Sequence, residues 1–123
     1  MKRTVRSVKR NIQHLLRMLV LLKYNGCLAK KYGHCFGPWN AAHIMPRRHA
    51  RTYALSINVV QMCEYHNNVW QDQNKDAFKA LVIDLIGEDM YRELEAMSKE
   101  ETHYTIDDWI DFEDELKAEI ELC

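Results

Sequence analysis

The first 24 residues place apolar side chains three and four positions apart, which predicts an amphipathic helix over residues 4–24. Its apolar stripe consists of Val5, Val8, Ile12, Leu15, Leu19 and Leu22. Asn25-Gly26 is a turn signal that ends this helix. Residues 25–41 contain glycines and a proline and are expected to be irregular.

Two short apolar runs in the middle of the chain predict a β-hairpin. Residues 42–46 suit a first strand, and the alternating run from Ala54 to Met62 suits a second. The polar stretch Trp70–Asn74 separates this hairpin from a second helical part.

Three further helices are predicted after the hairpin. Asn74 or Asp76 can cap a helix that carries apolar residues from 77 to 86, and Gly87 stops it. A second helix covers about 89–98, and Thr105 with Asp108 forms a capping box that opens a last, acidic helix. The pattern therefore predicts one small α+β domain. It divides into a basic helix (1–24), a hairpin core (25–74) and an acidic helical part (75–123).

The formal net charge of −1 conceals a strong separation of charge along the chain. Residues 1–63 carry 12 Lys and Arg but no Asp or Glu, whereas residues 64–123 carry 5 Lys and Arg and all 18 acids. The two halves are thus near +12 and −13. A half without acids suggests a polyanionic partner such as DNA. The alternative is that the basic half docks on the acidic half, within the chain or between chains.

The chain lacks the sequence signals of a membrane or secreted protein. The apolar run Leu15–Leu22 is interrupted by Arg17 and is too short to span a bilayer, and no cleavage site follows it. We therefore expect a cytoplasmic protein with reduced thiols and no membrane partner.

Cys63-x-x-His66 has the spacing of half a tetrahedral zinc site. Cys27 with Cys35, or Cys27 with His34, would supply the other half. Such a structural zinc would fix the loop and helix around it. The alternative is that the cysteines are merely small buried residues.

Three residues have the chemistry needed to hydrolyse a phosphodiester. His43 can act as a general base near neutral pH. Asn58, through its side chain or backbone carbonyl, can accept a hydrogen bond from the imidazole and so orient it. Asn67 can offer its amide oxygen to a catalytic Mg²⁺ or Mn²⁺. Each also has an ordinary structural explanation, as a core histidine or a turn asparagine.

Basic residues near His43 and in the first helix are candidate DNA contacts. Arg47 and Arg48 can hold a phosphate as bidentate forks, with His49 and Arg51 as further candidates. The first helix would add salt-sensitive affinity that does not depend on sequence. Its candidate residues are Lys2, Arg3, Arg6, Lys9 and Arg10.

From Cys27 to Leu116 the chain resembles the phage recombination endonucleases of the NinG (Rap) family, within the HNH group. The resemblance is carried by Ala42-His43, Arg47, Arg48, Arg51-Thr52, Asn58, Gln61-x-Cys63-x-x-His66-Asn67, Ala77–Glu95 and Tyr104–Asp108. It implies a ββα-metal fold and a hydrolase that cuts branched or duplex DNA in phage recombination, in the host cytoplasm. Symmetric cutting of a junction would favour a homodimer.

The chain departs from the family pattern at several positions. Ala42 stands where the family has glycine and where many HNH enzymes have a metal ligand. His66 replaces a cysteine, and Cys35 must reach the site from a longer loop. A non-catalytic, zinc-stabilised DNA-binding module is therefore the first alternative. An interaction protein that pairs its two halves with a partner is the second.

Overall fold

A computed structural model describes residues 2–123 and contains a two-stranded antiparallel sheet surrounded by helices. The strands are β1 (Trp39–His43) and β2 (Val59–Cys63). The α-helices are α1 (Val5–Lys23), α2 (Ala50–Tyr53), α3 (Gln71–Gln73), α4 (Lys75–Ile86), α5 (Glu88–Ser98) and α6 (Ile106–Glu121). Single 3₁₀ turns lie at Lys30–Tyr32 and Ser56–Asn58, and a π-helix at His66–Trp70 runs into α3. The predicted α+β class is confirmed.

The first helix begins as its sequence predicts and packs against the last helix. Thr4 and Ser7 form a capping box at its start. Its buried stripe joins Trp109 and Leu116 of α6 in one hydrophobic cluster. Thr105 and Asp108 form the predicted capping box of α6. In the part of the chain that the structure describes, no helix is long and apolar enough to cross a membrane.

The hairpin forms, but its strands differ from the predicted ranges. His43 pairs with Val59 and Trp39 pairs with Cys63, so β1 begins before residue 42 and β2 begins well after Ala54. Residues 50–58 instead form α2 and a 3₁₀ turn. These turns take up apolar residues whose alternation resembles that of a strand.

Each strand contributes to two hydrophobic clusters, because successive side chains point to opposite faces of the sheet. Ala42 and Val60 belong to a cluster with Trp70 and the helices α4 and α5. Ala41 and Val59 belong to the cluster between α1 and α6. The hairpin is therefore a wall shared by both helical layers.

The second helical part follows the predicted boundaries closely. Asn74 lies at the start of α4, and Gly87 ends it at a φ of +90° that favours glycine. The stretch Trp70–Asn74, expected to be a polar spacer, is largely helical. Trp70 itself is buried in the core, so this segment is part of the packed structure.

Part of the basic half does dock on the acidic half within the chain. Arg3 forms a bidentate pair with buried Glu113, at 2.8 and 2.5 Å. Lys23 Nζ lies 2.7 Å from Glu119, also on α6. Some of the separated charges therefore form ion pairs between the N-terminal part of the chain and the last helix.

Candidate functional site

Four metal-ligating side chains converge beside the hairpin. Cys27 follows α1, Cys35 lies in the loop before β1, Cys63 ends β2 and His66 opens the π-helix. Their ligand atoms all lie within 4.8 Å of one another. The Sγ atoms of Cys63, Cys27 and Cys35 lie 3.1, 3.4 and 3.7 Å from His66 Nδ1. This group is the predicted set, with Cys35 rather than His34 as the remaining ligand.

Backbone hydrogen bonds to β2 and its continuation hold the two ligand loops. The Leu28 N–H donates to the Gln61 carbonyl at 2.9 Å, which positions Cys27. The Tyr65 N–H donates to the Phe36 carbonyl at 3.1 Å, beside Cys35. Residues distant in sequence are thus fixed around the end of one strand.

The distances in this cluster fit a tetrahedral metal site. Zinc bonds of about 2.3 Å to sulfur and 2.1 Å to nitrogen set sulfur–nitrogen edges of about 3.6 Å. One neutral imidazole nitrogen has a single lone pair and accepts one proton, so hydrogen bonding does not account for three sulfurs around it. A cation among the four atoms does account for them. The cluster can therefore hold a metal ion such as zinc.

The pKa values of the cysteines follow from their burial and their hydrogen bonds. Burial raises the pKa of Cys27 to about 11, with the neighbouring thiols adding to the effect. Burial acts to raise the pKa of Cys63, but hydrogen bonds with the His66 and Phe36 backbones and the other thiols lower it overall. Cys63 is thus the first of these thiols to ionise, and a metal would displace protons from the others.

His43 ends β1 with only 7% of its surface exposed. Its Nε2–H donates to the Tyr53 carbonyl at 2.9 Å, and its ring stacks on the Tyr53 ring with centroids 5.3 Å apart. Burial lowers the pKa of His43 to about 4, with a further contribution from Arg47. The imidazole is therefore neutral at pH 7, with Nδ1 as its acceptor.

Asn58 was predicted to accept a hydrogen bond from the His43 imidazole, but its side chain bonds to other residues. Its Oδ1 accepts from the Met45 N–H at 2.8 Å, and its Nδ2 donates to the Met45 and Thr52 carbonyls at 3.2 and 3.1 Å. Its own carbonyl accepts from the Ile44 N–H at 2.7 Å. Asn58 therefore fixes the loop between the strands, and the orienting hydrogen bond comes from Tyr53. Every residue has a backbone carbonyl, so the sequence gives no signal for this role of Tyr53.

One cleft of about 970 Å³ contains His43 together with several other predicted residues. Arg47, Arg48, Asn67 and Arg10 all line it. Three cations that the sequence did not single out also line it: Arg17, Lys75 and Lys79. Asp72 and Asp76 are the two acids in the lining, so positive charge predominates. A cationic cleft around a neutral histidine suits a phosphate group.

Other predicted DNA contacts lie outside this cleft or have partners within the chain. Arg3 is paired with Glu113, and Arg51 Nε lies 3.2 Å from Glu100. Lys9 Nζ lies 4.8 Å from the Tyr53 ring centroid and 5.1 Å from that of Trp109. The remaining candidates Lys2 and Arg6 are exposed, and His49 is half-buried. Arg3 and Arg51 therefore form ion pairs within the chain.

Ala42 is fully buried in the apolar cluster and brings no metal ligand to the cleft. No family model matches the chain, and neither a curated protein nor a solved structure matches it significantly. The cleft and the cysteine cluster are thus the features that indicate a function.

Proposed function

We propose that this protein is a metal-dependent DNA endonuclease of the HNH type, related to the phage recombination nucleases that its sequence resembles. One observation carries the proposal. A neutral histidine, held by a backbone carbonyl at the end of a β-hairpin, lines a cationic cleft together with Arg47, Arg48 and Asn67. In this proposal, the hairpin and the helical segment that follows it would form the ββα unit of such a nuclease.

In this mechanism His43 Nδ1 accepts a proton from the attacking water while Nε2 remains bonded to the Tyr53 carbonyl. The water oxygen forms the new bond to phosphorus as the bond to the leaving oxygen breaks. Arg47 and Arg48 bind the non-bridging oxygens of the scissile phosphate. The low pKa of His43 keeps it unprotonated before the substrate arrives, and an approaching phosphate would raise it.

Asn67 is the residue that would hold a divalent ion. It is half-buried in the cleft wall, and its Nδ2, not its oxygen, is used in a 3.4 Å hydrogen bond to Asn68. Mg²⁺ suits a site with few protein ligands because it retains several waters. When bound, the ion would neutralise charge developing on the leaving oxygen.

We further propose that the four-ligand cluster binds structural zinc. A closed set of three sulfurs and one nitrogen leaves no position for substrate, which is typical of structural sites. Zinc there would join the Cys27 and Cys35 loops to the end of β2. His66 lies next to Asn67, so the same ion would fix the residue proposed to bind Mg²⁺.

The second candidate function is a zinc-stabilised DNA-binding module without catalysis. Ala42 favours it, because a position that supplies a ligand in many HNH enzymes is apolar and buried. Both functions predict salt-dependent DNA binding, so cleavage must separate them.

The test is cleavage of a labelled four-way junction and its matched linear duplex with Mg²⁺, Mn²⁺ or a chelator. We expect metal-dependent cutting that falls at least about 100-fold in His43→Ala. His103→Ala, an exposed histidine outside the cleft, serves as the matched control. Binding without cutting in either metal would leave the DNA-binding module, and cutting that survives His43→Ala would overturn the mechanism.

A further inference from the structure

The loop from Gly33 to Pro38 exposes a large aromatic side chain on a fixed backbone. Phe36 has 74% of its surface exposed, although it adjoins the ligand Cys35. Its carbonyl accepts from the Tyr65 N–H at 3.1 Å, and the Pro38 carbonyl accepts from the Glu64 N–H at 2.9 Å. These bonds fix the backbone at and after Phe36, while its ring stays exposed to water.

The backbone of this loop adopts conformations that ordinary residues avoid. Among residues 2–123, His34 is the only non-glycine residue with positive φ, at +61°. Gly37 has a φ of +83°, and a Cβ there would meet Glu64 Oε2 at 2.6 Å. The left-handed backbone at His34 and the outward phenyl ring do not help to bury the core, and unusual backbone of this kind is often found at ligand-binding sites.

Exposed cations and aromatic rings lie within six positions of Phe36 in the sequence. Lys30 and Lys31 are exposed just before the loop, next to Tyr32 with 43% of its surface exposed. The Trp39 carbonyl, at the start of β1, accepts from Arg17 Nε at 2.8 Å. Arg17 also lines the cleft that contains His43. Arg17 therefore joins the wall of the cleft to the backbone at Trp39, three positions after Phe36.

Exposed rings among cations are the chemistry that binds unpaired nucleotides, because bases stack on the rings while lysine and arginine attract the backbone. Phe36 and His43 are seven positions apart, which is about 23 Å of extended chain at about 3.3 Å per residue. A stacked strand rises about 3.4 Å per nucleotide, so the loop lies within about seven nucleotides of the cleft. The Glu64 carboxylate lies against Gly37, which favours the lysine side of the loop for phosphates.

We propose that the Phe36 loop is a stacking platform for an unpaired base of the DNA strand that enters the cleft. The inference rests on the proposed function in that DNA is the ligand, but it does not require catalysis. Because a fully paired duplex offers no free base, the loop would favour DNA with single-stranded segments near the cutting site.

The test compares binding of a single strand, a blunt duplex and the same duplex with an unpaired tail, by fluorescence anisotropy in a His43→Ala background. We expect Phe36→Ala to weaken binding of the single strand and the tailed duplex by about 5- to 100-fold and to leave the blunt duplex unchanged. Phe36→Trp should retain binding, since it keeps a stacking face. Leu122→Ala, which alters a remote side chain with 89% exposure, is the control.

A second variant separates stacking from charge. The double variant Lys30→Gln, Lys31→Gln should lower the affinity for all three DNA ligands and reduce the salt dependence of binding. An equal effect of Phe36→Ala on all three ligands, or none on any, would overturn the stacking role, provided metal content matches the parent. If the protein is a dimer and Phe36→Ala dissociates it without changing DNA affinity, the stacking role is also overturned. Phe36 would then belong to a protein interface. Failure of the nuclease proposal would appear separately, as absence of cutting by the chain with His43 intact.

Discussion

Replacing Asn58 with alanine should destabilise the protein and weaken its proposed catalysis through one loop. The side chain makes three buried hydrogen bonds to the backbones of Met45 and Thr52. Alanine would leave one N–H and two carbonyls without partners, and each orphaned group costs about 1–3 kcal/mol. Allowing for water that enters the space, we expect a loss of about 3–5 kcal/mol, against a total of about 5–15 kcal/mol for a typical domain.

The assay is urea unfolding followed by circular dichroism at a fixed free zinc concentration. Asn74→Ala is the matched control, since its Nδ2 makes a single 3.0 Å bond to the Trp70 carbonyl and should cost about 1 kcal/mol. Cleavage by Asn58→Ala should also fall, because the Tyr53 carbonyl that orients His43 belongs to the same loop. A loss no larger than that of Asn74→Ala would refute the role of Asn58 as the anchor of this loop.

Three further predictions concern metal, pH and the docking of the first helix. Purified protein should carry one zinc per chain by native mass spectrometry. Removing it should lower Tm and restoring it should release protons, whereas a metal-free chain with unchanged Tm would contradict the zinc proposal. Because the folded pKa of His43, about 4, lies below its ordinary 6.5, stability should fall by about 3 kcal/mol as pH drops from 6.5 to 4. Urea titrations should show that His43→Gln reduces this slope, leaving the part that comes from the lowered pKa of buried His66, and an unchanged slope would contradict the prediction. Arg3→Ala should lower Tm more than Lys23→Ala, because it leaves the carboxylate of buried Glu113 with only Asn11 and Lys117 as partners. Equal Tm shifts in the two variants would contradict a special role for the Arg3–Glu113 pair.

Helices with strong local signals were predictable from the sequence. The Thr105–Asp108 capping box and the glycine at position 87 act within one turn, so their effects do not depend on distant residues. The strand limits were not predictable, because Leu55 and Ile57 continue an alternating pattern through a segment that Asn58 holds in turns.

The metal-binding residues of the candidate site were partly predictable, because cysteine and histidine at this spacing are typical metal ligands. Cys63-x-x-His66 indicates a metal, and the structure brings Cys27 and Cys35 to it. The choice of Cys35 over His34 depends on the path of a loop with unusual backbone angles. The pairing of Arg3 with Glu113 joins residues 110 positions apart, a distance across which charge composition alone does not select partners.

The packing of α1 against α6 also has a consequence for how the protein is made. About 80 residues separate the end of α1 from the start of α6. At about 5–20 residues per second, a ribosome needs on the order of ten seconds to synthesise that interval. During this time α1 presents its apolar stripe and its cations without the helix that covers them. An apolar stripe left uncovered for that time is the kind of surface that favours aggregation and chaperone binding, and the acidic partners of Arg3 and Lys23 have not yet been synthesised.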